Sequence, residues 1–257
     1  MRIALGIEYD GSGFRGWQAQ QPGVRTVQHC LERALARVAD APVAVACAGR
    51  TDAGVHATGQ VVHFDTGAHR PLRAWMLGGN ANLPADISVT WACSAPETFH
   101  ARFSATARRY RYLIYNHPAR PALLRQRATW IHRPLDAQRM QAAGQALLGE
   151  HDFSAYRALQ CQARHPVRTV HELTVVRREA FIILEVEANA FLHHMVRNIA
   201  GVLLAIGGGD RPPQWAREVL EARDRTRGGV TAPAAGLYLT AVRYPPAFGL
   251  PPRRLDP

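Results

Sequence analysis

Apolar and polar positions alternate loosely through residues 2 to 9, RIALGIEY, which is the period of a strand. The next residues, DGSGFRG, place glycines at 11, 13 and 16 and predict a loop. Thr26 then stands where a helix cap belongs, ahead of Val27, Leu31, Ala34, Leu35 and Val38 at helical spacing. PVAVACA at 42 to 48 predicts a buried strand, and QVVHF at 60 to 64 another. Residues 71 to 83 predict a helix ending near Asn82-Leu83-Pro84, and ISVTWACS at 87 to 94 a further strand.

The second half opens on ARRYRYLIYNH at 107 to 117, a strong strand pattern, followed by a Pro- and Arg-rich connection over 118 to 134. Asp136 can cap a helix carrying Met140, Ala143, Leu147 and Leu148. VRTVHELTVVRR and FIILEVEANAF predict two strands paired across Arg178-Glu179-Ala180. Over 191 to 206, FLHHMVRNIAGVLLAI, the residues Phe191, Met195, Ile199, Val202 and Ile206 form one stripe, so a helix is expected there, stopped by Gly207-Gly208-Gly209. A short helix opened by prolines over 212 to 222, a closing strand GLYLTAVRY, and an extended Pro-rich tail after Tyr244 complete the pattern.

Each half thus holds strands and helices on a similar plan. The expected class is α+β: two similar halves, residues 1–104 and 105–257, sharing one mixed, mainly antiparallel sheet with helices outside. A cleft between two such halves is a natural ligand site, here expected to bind RNA.

Composition narrows the chemistry. At 257 residues and 47% hydrophobic content the chain can bury a real core. No apolar run approaches the ~20 residues of a membrane span, and the N-terminal apolar stretch is too short for a secretory signal, so a soluble cytoplasmic protein with no membrane partner is expected. Cys30, Cys47, Cys93 and Cys161 are far apart with no CxxC pair, which argues against a zinc ribbon or a thioredoxin-type site. HExxH is absent, and His193-His194 are adjacent, so on a helix they point about 100° apart. The formal net charge is +11, carried by arginine with no lysine anywhere. The missing lysine excludes Schiff-base and P-loop chemistry, and the charge excess suggests a polyanionic partner.

Three places carry candidate chemistry. On the strand at 107 to 115, Arg108, Tyr110 and Tyr112 share one face and Arg109 and Arg111 the other, a pattern that suits RNA, with rings stacking on unpaired bases and guanidinium groups neutralising phosphates. The plainer reading is an ordinary sheet, with packed aromatics and solvated arginines. On the helix at 191 to 206, Arg197 lies opposite the apolar stripe, one turn after His193, and needs an anionic partner: a nearby Glu or Asp, or Asp52. Asp52, in GRTDAGVHATGQVVHF, can be a turn residue beside Gly54, a metal ligand without an obvious second carboxylate, or a catalytic group held ionised by an arginine. A non-catalytic RNA-binding module would use the Arg/Tyr strand alone. A zinc deaminase is excluded by the absence of H-x-E with P-C-x-x-C, and a dinucleotide site by Trp17-Gln18 after DGSGFRG.

GRTDAGVHATGQVVHF, together with YDGSGFRGWQ, NANLP, FHARFSATARRYRYLIYNH, HMVRNIAG and GLYL, resembles the bacterial tRNA pseudouridine synthase A family over almost the whole chain. The resemblance implies conversion of uridine to pseudouridine at positions 38, 39 and 40 of the tRNA anticodon stem-loop, with no cofactor or metal. It implies Asp52 as the catalytic aspartate, Tyr110 stacked on the target uracil, Arg197 paired with the aspartate, and Arg50 at the gap left by the flipped nucleotide. It also implies a homodimer with tRNA lying across both subunits.

Overall fold

The structure is a computed structural model and describes residues 1–251. The chain divides into two compact units: Met1–Thr106 together with the chain from Tyr238 onward, and Ala107–Leu237.

In the first unit, strands β1 (Arg2–Tyr9), β2 (Ala46–Cys47), β3 (His56–Asp65), β4 (Ile87–Ala95) and β10 (Leu237–Arg243) form a sheet in the order β4-β1-β3-β10, with β2 on β3. β1 pairs antiparallel with both neighbours, whereas β10 runs parallel to β3, with Tyr238 opposite His56 and Leu239 opposite Ala57. The period of two sends Ile3, Leu5 and Phe64 to one face, where Leu31 and Leu35 of α1 (Val27–Ala39) and Trp75 of α2 (Leu72–Asn82) are also buried. Thr26 caps α1 as expected, its hydroxyl accepting from His29 N–H. The opposite face buries Ala4, Val61, Ala48, Phe99 and Ala101.

That second face explains the tail. Tyr244, Phe248 and Leu250 pack on it, with the rings of Tyr244 and Phe248 5.1 and 5.3 Å from Phe99, and Tyr244 Oη donates to Ala101 O at 2.6 Å. Up to Leu250 the Pro-rich tail is therefore a cover for apolar sheet surface, not the extended surface segment its composition predicts. Residues 252–257 lie outside the described residues.

In the second unit, β5 (Ala107–Asn116), β7 (Gly149–Asp152), β8 (Val167–Arg178) and β9 (Phe181–Ala188) are antiparallel in the order β5-β9-β8-β7. β6 (Thr129–Ile131) runs parallel along β5. Tyr110, Tyr112, Ile114, Leu173, Val175, Leu184 and Val186 are buried. α3 (Ala137–Gly144) packs on β8 and on α4 (Met195–Gly207), and α5 (Trp215–Ala222) packs on both helices. Asp136 caps α3 through Gln138 N–H and Arg139 N–H. β8 and β9 meet across a two-residue turn, Arg178 opposite Phe181, with Glu179 at φ 52°.

Other expectations change in detail. Only Ala46–Cys47 of the run 42 to 48 joins a ladder; Val43 and Val45 are buried, but Val45 N–H donates to the Glu32 carboxylate at 3.1 Å instead of to a strand. The connection 118 to 134 contains β6, and β7 had no alternating pattern to announce it. The helix expected from residue 191 starts at Met195, because His194 sits at φ 61°, where a right-handed helix cannot continue. The closing strand, grouped by sequence with residues 105–257, pairs with β3 of the first unit. Among the described residues no helix is long and apolar enough to cross a membrane.

Candidate active site

The loop carrying Asp52 joins β2 to β3 and is held from several sides by the first unit. At its start, Ala48 N–H donates to Val61 O at 2.8 Å, and Gly49 is clamped by the fully buried Gln60 side chain, whose amide donates to Gly49 O at 2.6 Å. Thr51 is buried: its hydroxyl meets Tyr9 Oη at 2.8 Å, and its carbonyl accepts from Trp17 N–H at 3.0 Å. Asp52 O then accepts from Val55 N–H at 3.1 Å, closing a four-residue turn with Gly54 third at φ 78°. A positive φ there is the mark of a type II turn and suits glycine. Gly16 at φ 91° passes so close beneath that a Cβ would lie 2.8 Å from Thr51 O, so the loop DGSGFRG supports the Asp52 turn from below. Beyond the turn, buried His56 accepts from Gly11 N–H at Nδ1, 3.0 Å, and stacks on Tyr238 at 4.6 Å.

The result is a rigid turn with Thr51 buried, Asp52 half-buried, and Arg50 and Ala53 exposed. Buried hydrogen-bonded neighbours fix the backbone on both sides of a carboxylate that is itself only half-buried. The thiol at the foot of the loop does not compete as a nucleophile: burial pushes Cys47 up to about 12, against the opposing charge of Arg50, so it is not a thiolate at neutral pH.

In the second unit, Tyr110 lies opposite Val186 on β9, is 8% exposed, and has its ring edge-on to Phe191 at 5.0 Å and 82°. Tyr112 is fully buried; its hydroxyl meets Thr129 Oγ1 at 2.6 Å and donates to Pro233 O at 2.8 Å. Burial raises the Tyr112 phenol, against the Thr129 hydrogen bond and the Arg197 charge, so it stays a neutral structural group.

The other face of β5 departs from the expectation of phosphate-binding arginines. Arg109 bonds Glu187 at 2.8 Å, reaches Glu172, and lies 3.5 Å from Glu185, while Arg111 bonds Glu185 at 2.8 Å. These carboxylates sit directly across the ladder on β9 and nearby on β8, so cross-strand pairing takes up both guanidinium groups. Arg108 donates to Asn189 O at 3.0 Å.

Arg197 is the third residue of α4 and is half-buried. Its Nε donates to Ala232 O at 2.8 Å, and its own carbonyl accepts from Ala232 N–H at 3.1 Å. His193 and His194 precede the helix with rings 4.1 Å apart, so the expected spacing of one turn between His193 and Arg197 does not hold. The structure thus sets Arg50 and Asp52 on one loop of the first unit, and Tyr110 and Arg197 on β5 and α4 of the second. The supports Tyr9, Gly16, Thr51 and Gln60 were not legible in the sequence, since each acts through neighbours distant along the chain.

The family model described as tRNA pseudouridine synthase matches residues 6–104 and 143–245, which include Arg50, Asp52 and Arg197 but not Tyr110. A tRNA pseudouridine synthase A of Pseudomonas aeruginosa is 64% identical over 256 residues, covering 100% of this chain and 90% of that protein. One from Alcanivorax borkumensis is 59% identical, covering 100% and 96%, and one from Coxiella burnetii 58%, covering 100% and 98%.

Proposed function

From the premise that this chain belongs to the tRNA pseudouridine synthase family, an isomerase family forming pseudouridine in tRNA, we propose that its targets are the uridines at positions 38, 39 and 40 of the anticodon stem-loop and that Asp52 is the catalytic carboxylate. The observation supporting Asp52 is its turn: a half-buried carboxylate between buried Thr51 and exposed Ala53, on a backbone fixed by Gln60, Tyr9, Trp17 and Gly16. Preorganisation of that kind serves a group that must meet a substrate atom, and a turn made only to reverse the chain does not need it.

The reaction breaks the bond between uracil N1 and C1′ and forms one between C5 and C1′; C5 releases its proton to water and N1 takes one up, so the product is an isomer of the substrate. A uridine in a stem must leave the stack before a side chain reaches its sugar, at a cost of a few kcal/mol. In the proposed roles Arg50, exposed two residues from Asp52, occupies the gap left by the flipped nucleotide. Tyr110 walls the uracil while it turns, and Arg197 pairs with Asp52 and keeps it ionised. The partner is tRNA bound by a homodimer, and the reaction as written uses no redox or group-transfer cofactor.

The test is tRNA carrying tritium at uracil C5. The protein should release tritium to water from a tRNA with uridine at 38, 39 or 40, and none when those positions alone are changed to cytidine. Undiminished release from the cytidine-substituted tRNA would overturn the site assignment, and no release from any tRNA would overturn the activity.

A further inference from the structure

The segment after α5 forms a strap along the start of α4, and its polar contacts converge on two adjacent helix residues. Asn198 is 2% exposed. Its Nδ2 donates to Tyr156 O at 2.8 Å; its Oδ1 accepts from Thr231 Oγ1 at 2.7 Å and from Arg225 Nη2 at 3.1 Å. Arg225 Nη2 also donates to Thr231 Oγ1 at 3.0 Å, closing a three-membered ring of side chains. One residue beyond Thr231, Ala232 makes the two reciprocal bonds to Arg197. One residue beyond that, Pro233 O accepts from Tyr112 Oη on β5. The strap lies directly on the helix backbone: a Cβ on Gly201 would fall 1.9 Å from Val230 O.

We propose that Thr231, locked by Asn198 and Arg225, is a positioning residue for Arg197, holding the strap so that the Ala232 carbonyl fixes Nε and thereby aims the rest of the guanidinium. The proposal rests on the reading of Arg197 as a working residue of the site. The physical reason is the length of the arginine side chain. It has four rotatable bonds, and one fixed Nε–H removes most of the freedom of the planar group beyond it. A carbonyl can do this only if its own backbone is immobile. Neither Ala232 nor Pro233 has a side chain able to anchor the strap, so the polar anchor falls to Thr231. Asn198 is suited to receive it: next to Arg197 on the helix, buried, and with its amide orientation set by Tyr156 O.

The experiment measures single-turnover rate and tRNA affinity for Thr231→Val, Thr231→Ser, Arg197→Leu and the double variant Thr231→Val/Arg197→Leu. Val keeps the shape and deletes the hydroxyl, leaving Asn198 Oδ1 with Arg225 alone. The expected rate loss is roughly tenfold, with affinity within about twofold. Thr231→Ser should restore most of the rate. The double variant should be no slower than Arg197→Leu, because the strap acts only through that arginine. Wild-type rate in Thr231→Val with an impaired Arg197→Leu would overturn the strap, as would equal losses in Val and Ser or additive losses in the double variant. Wild-type rate in Arg197→Leu would instead overturn the reading of Arg197 itself. Should Thr231→Val not fold, Arg225→Met opens the same ring from its half-buried arginine end. The same selective rate loss is expected there, and an unchanged rate would overturn the proposal.

Discussion

Among single residues, Tyr110 carries the sharpest prediction. It is 8% exposed and packed edge-on against Phe191, so truncation to alanine would mix a cavity with any loss of chemistry. Tyr110→Leu keeps bulk and removes the ring; turnover should fall by roughly ten- to hundredfold, in line with about 1–3 kcal/mol for stacking of a base on an aromatic ring, with tRNA affinity changed less. Tyr110→Phe separates ring from hydroxyl: retained turnover assigns the role to the ring, and a loss as deep as that of Leu assigns it to the phenol. Normal turnover in both removes Tyr110 from the site. The candidates themselves were legible because GRTDAG and RRYRY are local motifs. What the sequence did not show is that Arg109 and Arg111 are engaged by Glu172, Glu185 and Glu187, which lie more than sixty residues on and become neighbours only through the ladder.

Among the elements, β3 links the Asp52 loop to the segment before β5. His63, 6% exposed, accepts from Ala101 N–H at Nδ1, 3.1 Å, and its ring lies 4.6 Å from that of His100. Burial first, then the charges of His100 and Arg2, bring His63 down to about 4, and burial followed by Arg2 lowers His100 as well. Since folded His63 binds its proton only near pH 4 while the unfolded residue does so near 6.5, the unfolded state holds more protons between those values. Stability is therefore full above about pH 6.5 and falls as the pH is lowered toward 4. Denaturant midpoints measured from about pH 7.5 to about pH 4.5 should decline through this window, and His63→Asn should flatten the decline while lowering the midpoint at neutral pH. An equally steep decline in the variant would locate the effect elsewhere.

The element boundaries show where periodicity stops being informative. Thr26 and Asp136 announced their helices because a cap is a local hydrogen bond. The apolar stripe from Phe191 continued past the true start of α4, because periodicity does not register one left-handed residue at His194. β6 and β7, of three and four residues, are too short to show a period and exist through pairing with β5 and β8.

For the whole molecule, the formal charge of +11 predicts tRNA binding that weakens steeply with salt, log affinity falling linearly with log salt concentration. Because Arg109 and Arg111 are engaged by carboxylates, Arg109→Gln and Arg111→Gln should leave that slope within about half a unit of wild type, whereas removing an arginine that neutralises a phosphate would reduce it by about one. A nearly flat wild-type slope would contradict the electrostatic reading; a drop of about one per substitution would return these arginines to the RNA. Light scattering checks the homodimer, with a mass near twice 28.3 kDa expected. The α+β class followed from the pattern. The return of β10 to the first unit did not, since nothing in GLYLTAVRY names its partner, and the Pro-rich tail hid its role because Tyr244, Phe248 and Leu250 act as a cover only once the sheet face beneath them exists.

Whether Asp52 performs chemistry is decided by tritium release from C5-labelled tRNA with Asp52→Asn. Asn is nearly isosteric and occupies turns as Asp does, so the Asp52–Val55 turn should persist and the protein should fold and bind tRNA as before. It lacks the charge of a carboxylate that can attack or abstract a proton. Catalysis by Asp52 requires sustained release by the wild type and none above background by Asp52→Asn, with tRNA affinity equal or slightly tighter as one negative charge near phosphate is removed. Release at the wild-type rate from Asp52→Asn would contradict it and leave Asp52 as a turn residue.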